Sequence, residues 1–248
     1  MLGTLVLSML LASPVSPTTE TFAIRGRQQT LHVYGTRGGP VALVVSGDGG
    51  WTHLAPHIAE LLSTSGYFVV GLDSKAYLSS FTRNGTTLST TDVPGDFAAL
   101  LEHAASGASS RALLVGISEG AGLSVLAATD DAVKGRIEGI LAVGLPDKNE
   151  LGWRLRDSII YVTKGVPNEP LFSAAGLIDR VAPLPLAAIH SKRDEFVPVE
   201  EIERIMERAG EPKRLTLVDA ANHRFEGSEA ELDRRLLDAI QWIKEARR

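Results

Sequence analysis

Apolar residues fall along this chain in two alternating patterns. Val41–Ser46, Tyr67–Leu72, Leu113–Ile117, Ile137–Val143, Leu186–His190 and Leu215–Val218 are continuous or nearly continuous apolar runs. Such runs suit strands buried on both faces of a sheet, where polar alternation has no place. Between them the apolar positions recur at helical spacing: Leu54, Ile58, Leu61 and Leu62; Phe97, Leu100 and Leu101; Leu123, Val125 and Leu126; Val199, Ile202, Ile205 and Met206. Leu232, Leu236, Leu237, Ile240 and Ile243 stripe a closing helix. Strand–helix alternation of this kind predicts a mostly parallel central sheet with helices on both faces, joined by right-handed crossovers. Ligands gather at the carboxyl ends of the strands in such sheets. Phe22–Ile24 and Leu31–Tyr34 flank Gly26–Gln29 and predict an edge hairpin.

Two stretches break the alternation. Lys75–Val93 is rich in Ser, Thr and Gly and reads as a long loop near the site, with the next helix starting at Asp96. Residues 144–183 hold Pro146, Pro167, Pro170 and Pro183 and read as an insertion or partial lid. With no repeat and no linker, residues 21–248 read as one domain.

Composition narrows the classes. A chain of 248 residues with 44% hydrophobic content can fill one large core. Net charge is −5 and no basic tract stands out, which argues against nucleic acid as a partner. There is no cysteine, so disulfides, thiol nucleophiles and thiolate metal sites are excluded. Residues 1–16 carry an apolar stretch, Leu2 to Ala12, before Ser13-Pro14-Val15-Ser16. It is too short to span a bilayer and reads as an export signal, although no Lys or Arg precedes the apolar core. The expectation is a periplasmic or exported protein, with a cytoplasmic one as the alternative.

The candidate chemistry sits at strand ends. Gly116-Ile117-Ser118-Glu119-Gly120 follows an apolar run and precedes a small-residue helix, the strand–turn–helix context of a nucleophile elbow. The alternative is a glycine-rich turn whose serine caps the helix. Asp194 follows the next-to-last strand and His223 the last, giving the order Ser118, Asp194, His223 found in α/β-hydrolases. A serine hydroxyl becomes a nucleophile when an imidazole takes its proton, and the imidazole needs a carboxylate to fix its tautomer. Asp194 is preferred to Glu195 and Asp219 by its place after the strand, although it could also cap the following helix. His190 lies within its strand and reads as structural.

Ser46-Gly47-Asp48-Gly49-Gly50-Trp51 follows the first central strand. An oxyanion hole needs two preorganised donors. The backbone N–H of Glu119 and that of Asp48, with Gly49 next, are the candidates. Gly49, Trp51 and Asp73 are candidate substrate contacts. The loop has neither a Walker lysine nor a dinucleotide fingerprint, and His53 and His57 lack the glutamate of the metalloprotease pattern. No metal and no cofactor is expected.

Ser46–Trp51 after a buried strand, Val70-Gly71-Leu72-Asp73-Ser74 with Tyr77 behind it, and Gly116-x-Ser118-x-Gly120-Ala121 together resemble the VirJ/AcvB group of bacterial virulence proteins, from Val41 to the C-terminus. The resemblance implies an α/β-hydrolase fold, a periplasmic setting, a link to type IV secretion, and hydrolysis of lysyl-phosphatidylglycerol. It implies Ser118 as nucleophile with Asp194 and His223 as partners. Glu119 departs from the aromatic residue that the resemblance implies after the nucleophile.

The resulting expectation is a serine hydrolase that cleaves a carboxylic ester through an acyl-enzyme. Its substrate would be a small molecule or a lipid-headgroup ester, with membrane-surface contact and secretion-system proteins as further expected partners. Asp48, Asp73 and Glu119 are expected to converge on the nucleophile and favour a cationic substrate such as a lysyl ester. The rivals are a secretion-associated binding protein or chaperone on a hydrolase scaffold and a generic carboxylesterase of the dienelactone-hydrolase kind.

Overall fold

The computed structural model describes residues 16–83, 86–106, 111–154 and 169–247. Their strands are β1 (Thr18–Ile24), β2 (Arg27–Tyr34), β3 (Val41–Val45), β4 (Phe68–Leu72), β5 (Ala112–Ile117), β6 (Ile137–Val143), β7 (Lys148–Glu150), β8 (Leu171–Ser173), β9 (Leu186–Ser191) and β10 (Lys213–Val218). Their helices are α1 (Leu54–Thr64), α2 (Ser74–Phe81), α3 (Asp92–Ala104), α4 (Glu119–Ala127), α5 (Asp131–Lys134), α6 (Val199–Arg208) and α7 (Glu229–Ala246).

Eight strands form one sheet in the order β1-β2-β4-β3-β5-β6-β9-β10. The β1–β2 hairpin joins the edge antiparallel, and the pairs from β4 to β10 are parallel. β3, β4 and β5 are buried along their whole length, which is why their sequence shows no alternation.

Alternation reappears in three dimensions. Val41, Leu43 and Val45 join Phe97, Leu100, Leu123 and Ile202 in a core on one face. Ala42 and Val44 join Ile58, Leu62, Leu236, Ile240 and Ile243 in a core on the other. Helices α1 and α7 therefore cover one face, and α2, α3, α4 and α6 the other. This is the α/β-hydrolase fold, and it brings the ends of β3, β5, β9 and β10 to one rim.

Two expectations change, and a third stretch gains detail. Lys75–Val93 is not one long loop: Asp73 caps α2 by accepting the Ala76 N–H at 2.9 Å, and Ser74, Tyr77 and Leu78 are buried at helical spacing. That pattern is short and interrupted by serines, so it carried little periodic signal. Helix α3 begins at Asp92, four residues before the expected start. Within 144–183, β7 and β8 pair as a small antiparallel ribbon, and Ile178–Val181 forms a 3₁₀ turn. The rest of the expected lid, 155–168, lies outside the described residues, as does the expected export signal save its last residue. Among the described residues, no helix is long and apolar enough to cross a membrane.

Candidate active site

Ser118 forms the turn between β5 and α4 with φ +50° and ψ −118°. A side-chain-bearing residue is strained there, and such strain persists only where packing enforces it. The enforcement is visible. A Cβ at Gly116 would run into the Gly120 carbonyl and the Ala121 backbone, and one at Gly120 into the carbonyls of Val45 and Ser46. The turn is thus pressed against both its own helix and strand β3. The Ser118 N–H donates to Val143 O at 2.8 Å, tying the turn to the end of β6. Ser118 is half-buried, and its hydroxyl bonds to no described residue. Catalytic hydrogen bonds at rest are often long and tighten with substrate.

Asp194 and His223 come together beside that turn. His223 Nδ1 donates to Asp194 Oδ2 at 2.6 Å. The Asp194 side chain is fully buried and that of His223 is 12% exposed. The other carboxylate oxygen, Oδ1, accepts the Phe196 and Val197 N–H groups at 2.9 Å each. Burial alone would raise the Asp194 pKa. The His223 hydrogen bond and charge, with those two N–H donors, outweigh it and hold the carboxyl below its ordinary value. The His223 ring lies against Gly144, where a Cβ would come within 2.7 Å of Cε1. Gly144 has φ +62° and directly follows Val143, the residue that accepts the Ser118 N–H. Glu195 Oε2 accepts the His223 N–H at 2.8 Å, and the Phe196 ring meets the imidazole edge-on at 5.6 Å.

The Ser46–Trp51 loop faces the turn, and a Cβ at Gly47 would sit 3.3 Å from that of Ser118. Ser74 Oγ and the Gly50 N–H both donate to Gly47 O, at 2.8 and 3.0 Å. No described residue accepts the backbone N–H of Asp48 or of Glu119. Gly49 is exposed.

The three acids do not converge as the sequence suggested. Asp73 is committed to the scaffold, accepting the Trp51 N–H at 3.1 Å besides capping α2. Glu119 turns inward, where Oε1 accepts the Glu150 N–H at 2.7 Å. Burial, then the neighbouring Glu150 and Asp48 charges, push its carboxyl well above the ordinary range, against the Glu150 N–H that lowers it. Asp48 alone stays half-buried without a hydrogen bond or ion pair among the described residues. Trp51 is also structural: its ring stacks on His32 at 4.5 Å, its Nε1–H donates to the Tyr34 hydroxyl, and it fills the space above Gly71. Among the described residues, no three His, Asp or Glu side chains are grouped to hold a metal.

Several contributors went unnoticed in the sequence. Ser74 fixes the Gly47 loop, and Asn149 packs its amide over Gly122. Lone serines and asparagines carry no such signal. Phe196 is 57% exposed, and its contact with His223 follows from the loop rather than from any motif.

Residues 40–243 match the model of the family described as bacterial virulence protein VirJ. The chain belongs to the VirJ family. A stretch of 113 residues is 33% identical to YfhR, an uncharacterised protein of Escherichia coli K12, covering 46% of this chain and 38% of YfhR. The VirJ-family fold superposes on GrgF, an α/β hydrolase from Penicillium sp. sh18, with TM-score 0.66 and 13% identity, covering 92% of this chain and 99% of GrgF. An esterase domain from a Rhodothermus marinus protein gives TM-score 0.63 at 18% identity over 93% and 99% of the two chains. A membrane phospholipase A described as a bacterial virulence factor gives 0.67 at 12% over 92% and 87%. At these identities the likeness concerns the fold.

Proposed function

We propose that this VirJ-family protein is a serine hydrolase that cleaves a carboxylic ester through an acyl-enzyme. The observation that carries the reading is the buried Asp194–His223 pair, 2.6 Å apart, packed on Gly144 beside the strained Ser118 turn. In this scheme Ser118 Oγ attacks the ester carbonyl while His223 Nε2 takes its proton. The N–H groups of Asp48 and Glu119 receive the oxyanion. His223 then protonates the leaving alcohol, and water activated by the same imidazole releases the acid.

The family likeness points to a lysyl ester of phosphatidylglycerol, whose hydrolysis yields lysine and the parent lipid at a membrane surface outside the cytoplasm. Asp48 is the one acid of the three left to meet the lysyl ammonium. A neutral ester, and hence a generic carboxylesterase, is favoured by a specific observation: Glu119 and Asp73 are used inside the fold.

The test is fluorophosphonate labelling with ester hydrolysis. Ser118→Ala should lose the label and about 10⁴–10⁶ of kcat while remaining folded. Retained activity in the folded variant ends the reading. Asp48→Asn should narrow the kcat/KM preference for lysyl over matched neutral esters, and no preference in the wild type selects the generic esterase.

A further inference from the structure

The site contains a second histidine that the proposed chemistry does not use. His190, on β9, is completely buried four residues before Asp194. Its Nε2 lies 2.8 Å from Val197 O, and a carbonyl can only accept, so Nε2 carries the proton. The same nitrogen is 3.7 Å from Asp194 Oδ2, too far for a hydrogen bond. Its other nitrogen, Nδ1, is buried with no partner.

These contacts form a continuous chain. His190 Nε2–H holds Val197 O, the Val197 N–H holds Asp194 Oδ1, and Asp194 Oδ2 holds His223 Nδ1. We propose that His190 is a positioning residue that fixes the 194–197 turn through Val197 and, by remaining neutral, leaves the Asp194 charge to His223. The proposal rests on reading Asp194 and His223 as the working acid–base pair.

Neutrality follows from the surroundings. A second proton would place a buried N–H at Nδ1, where no described residue accepts it. It would also set a cation beside Asp194 in competition with His223. The charged and titratable groups that bear on the ring are Asp194, His223 and Glu201. Burial lowers the His190 pKa; His223 adds to that, while the Val197 hydrogen bond, Asp194 and Glu201 oppose it, and the lowering prevails.

Side chains of similar size separate this role from packing. Glutamine can place an N–H donor at the ε position, asparagine places one at the δ position, and leucine has none. His190→Gln should keep kcat within about threefold. His190→Leu and His190→Asn should lose roughly 10–100-fold in kcat with KM little changed, the scale of a misplaced catalytic group. In the Leu variant the acid limb of kcat/KM should move to lower pH, because a loosened carboxylate stabilises the imidazolium less. Long-range ¹H–¹⁵N spectra of the wild type should show His190 as the neutral Nε2–H tautomer across the pH range of that limb.

Equal behaviour of the Gln and Leu variants, with an unmoved limb, overturns the proposal, as does a His190 that titrates with the activity. A fully active Ser118→Ala protein would instead overturn the serine-hydrolase reading itself.

Discussion

The Ser118 corner and the Asp194–His223 corner meet at one rim but are built on opposite principles. Ser118 is held by backbone in van der Waals contact: Gly116 and Gly120 have no room for a Cβ, and the turn is wedged between α4 and β3. Asp194 and His223 are held by directed hydrogen bonds, two from backbone N–H groups to Asp194 and one from the His223 backbone N–H to the Glu195 carboxylate. The first corner depends on side chains that are missing, the second on side chains that are present. A side chain added at Gly116 or Gly120 should therefore cost folding, and a substitution of Asp194 or His223 should cost chemistry.

The largest effect within the hydrogen-bonded corner should come from Asp194→Asn. The amide oxygen can keep the Phe196 and Val197 N–H groups, but the amide nitrogen then faces His223 Nδ1 as a donor and forces the other tautomer. We expect about a 10⁴-fold fall in kcat, with the melting temperature changed far less than activity. Steady-state kinetics beside a thermal melt checks this, and an equal collapse of both would erase the contrast between the corners.

Gly120→Ala should do the reverse. Its Cβ meets two carbonyl oxygens of the β3 end, which cannot move without shifting the sheet. Overpacking costs typically 1–3 kcal/mol, and each kcal/mol lowers Tm by about 2–4 °C in a domain of this size. Differential scanning calorimetry reads the loss directly.

The smallest effect sharpens the comparison, because Glu119 is tied to both corners' logic: its N–H has no acceptor among the described residues and its carboxyl is buried. Its raised pKa means that the folded state binds the proton more tightly than the unfolded chain does. The contribution to stability is fully present below the unfolded pKa of about 4.3 and is lost as pH rises through the folded value. Glu119→Gln, which can still accept the Glu150 N–H, should therefore gain stability over the wild type as pH rises from about 4. Urea melts at several pH values give the trend, and parallel stability curves would mean the carboxyl is not buried in solution.

The same contrast governs what could be read in advance. The elbow was legible because its steric demand falls within five consecutive residues. The two-faced sheet was legible because β3, β4 and β5 are unbroken apolar runs. The roles of the acids were not legible: Asp48, Asp73 and Glu119 all stand at strand ends, and residue type does not say which way a side chain turns. Asp73 is claimed by a helix of eight residues too short and serine-rich to announce itself. Glu119 is claimed by the β7–β8 ribbon, whose two strands are separated by about twenty residues of proline-bearing chain. His190 is the converse case. It reads as an ordinary strand residue, and only the three-dimensional chain through Val197 connects it to the site.

The strand order also sets a timetable. β3 and β5, which carry the Gly47 loop and Ser118, are neighbours at the centre of the sheet, whereas Asp194 and His223 follow β9 and β10 at its far edge. His223 comes about a hundred residues after Ser118, which at roughly 5–20 residues/s is on the order of 5–20 s of synthesis. During that interval a ribosome-bound chain carries its serine with no base to activate it. The ester-cleaving machine proposed for this fold would be switched on by the arrival of its last strand.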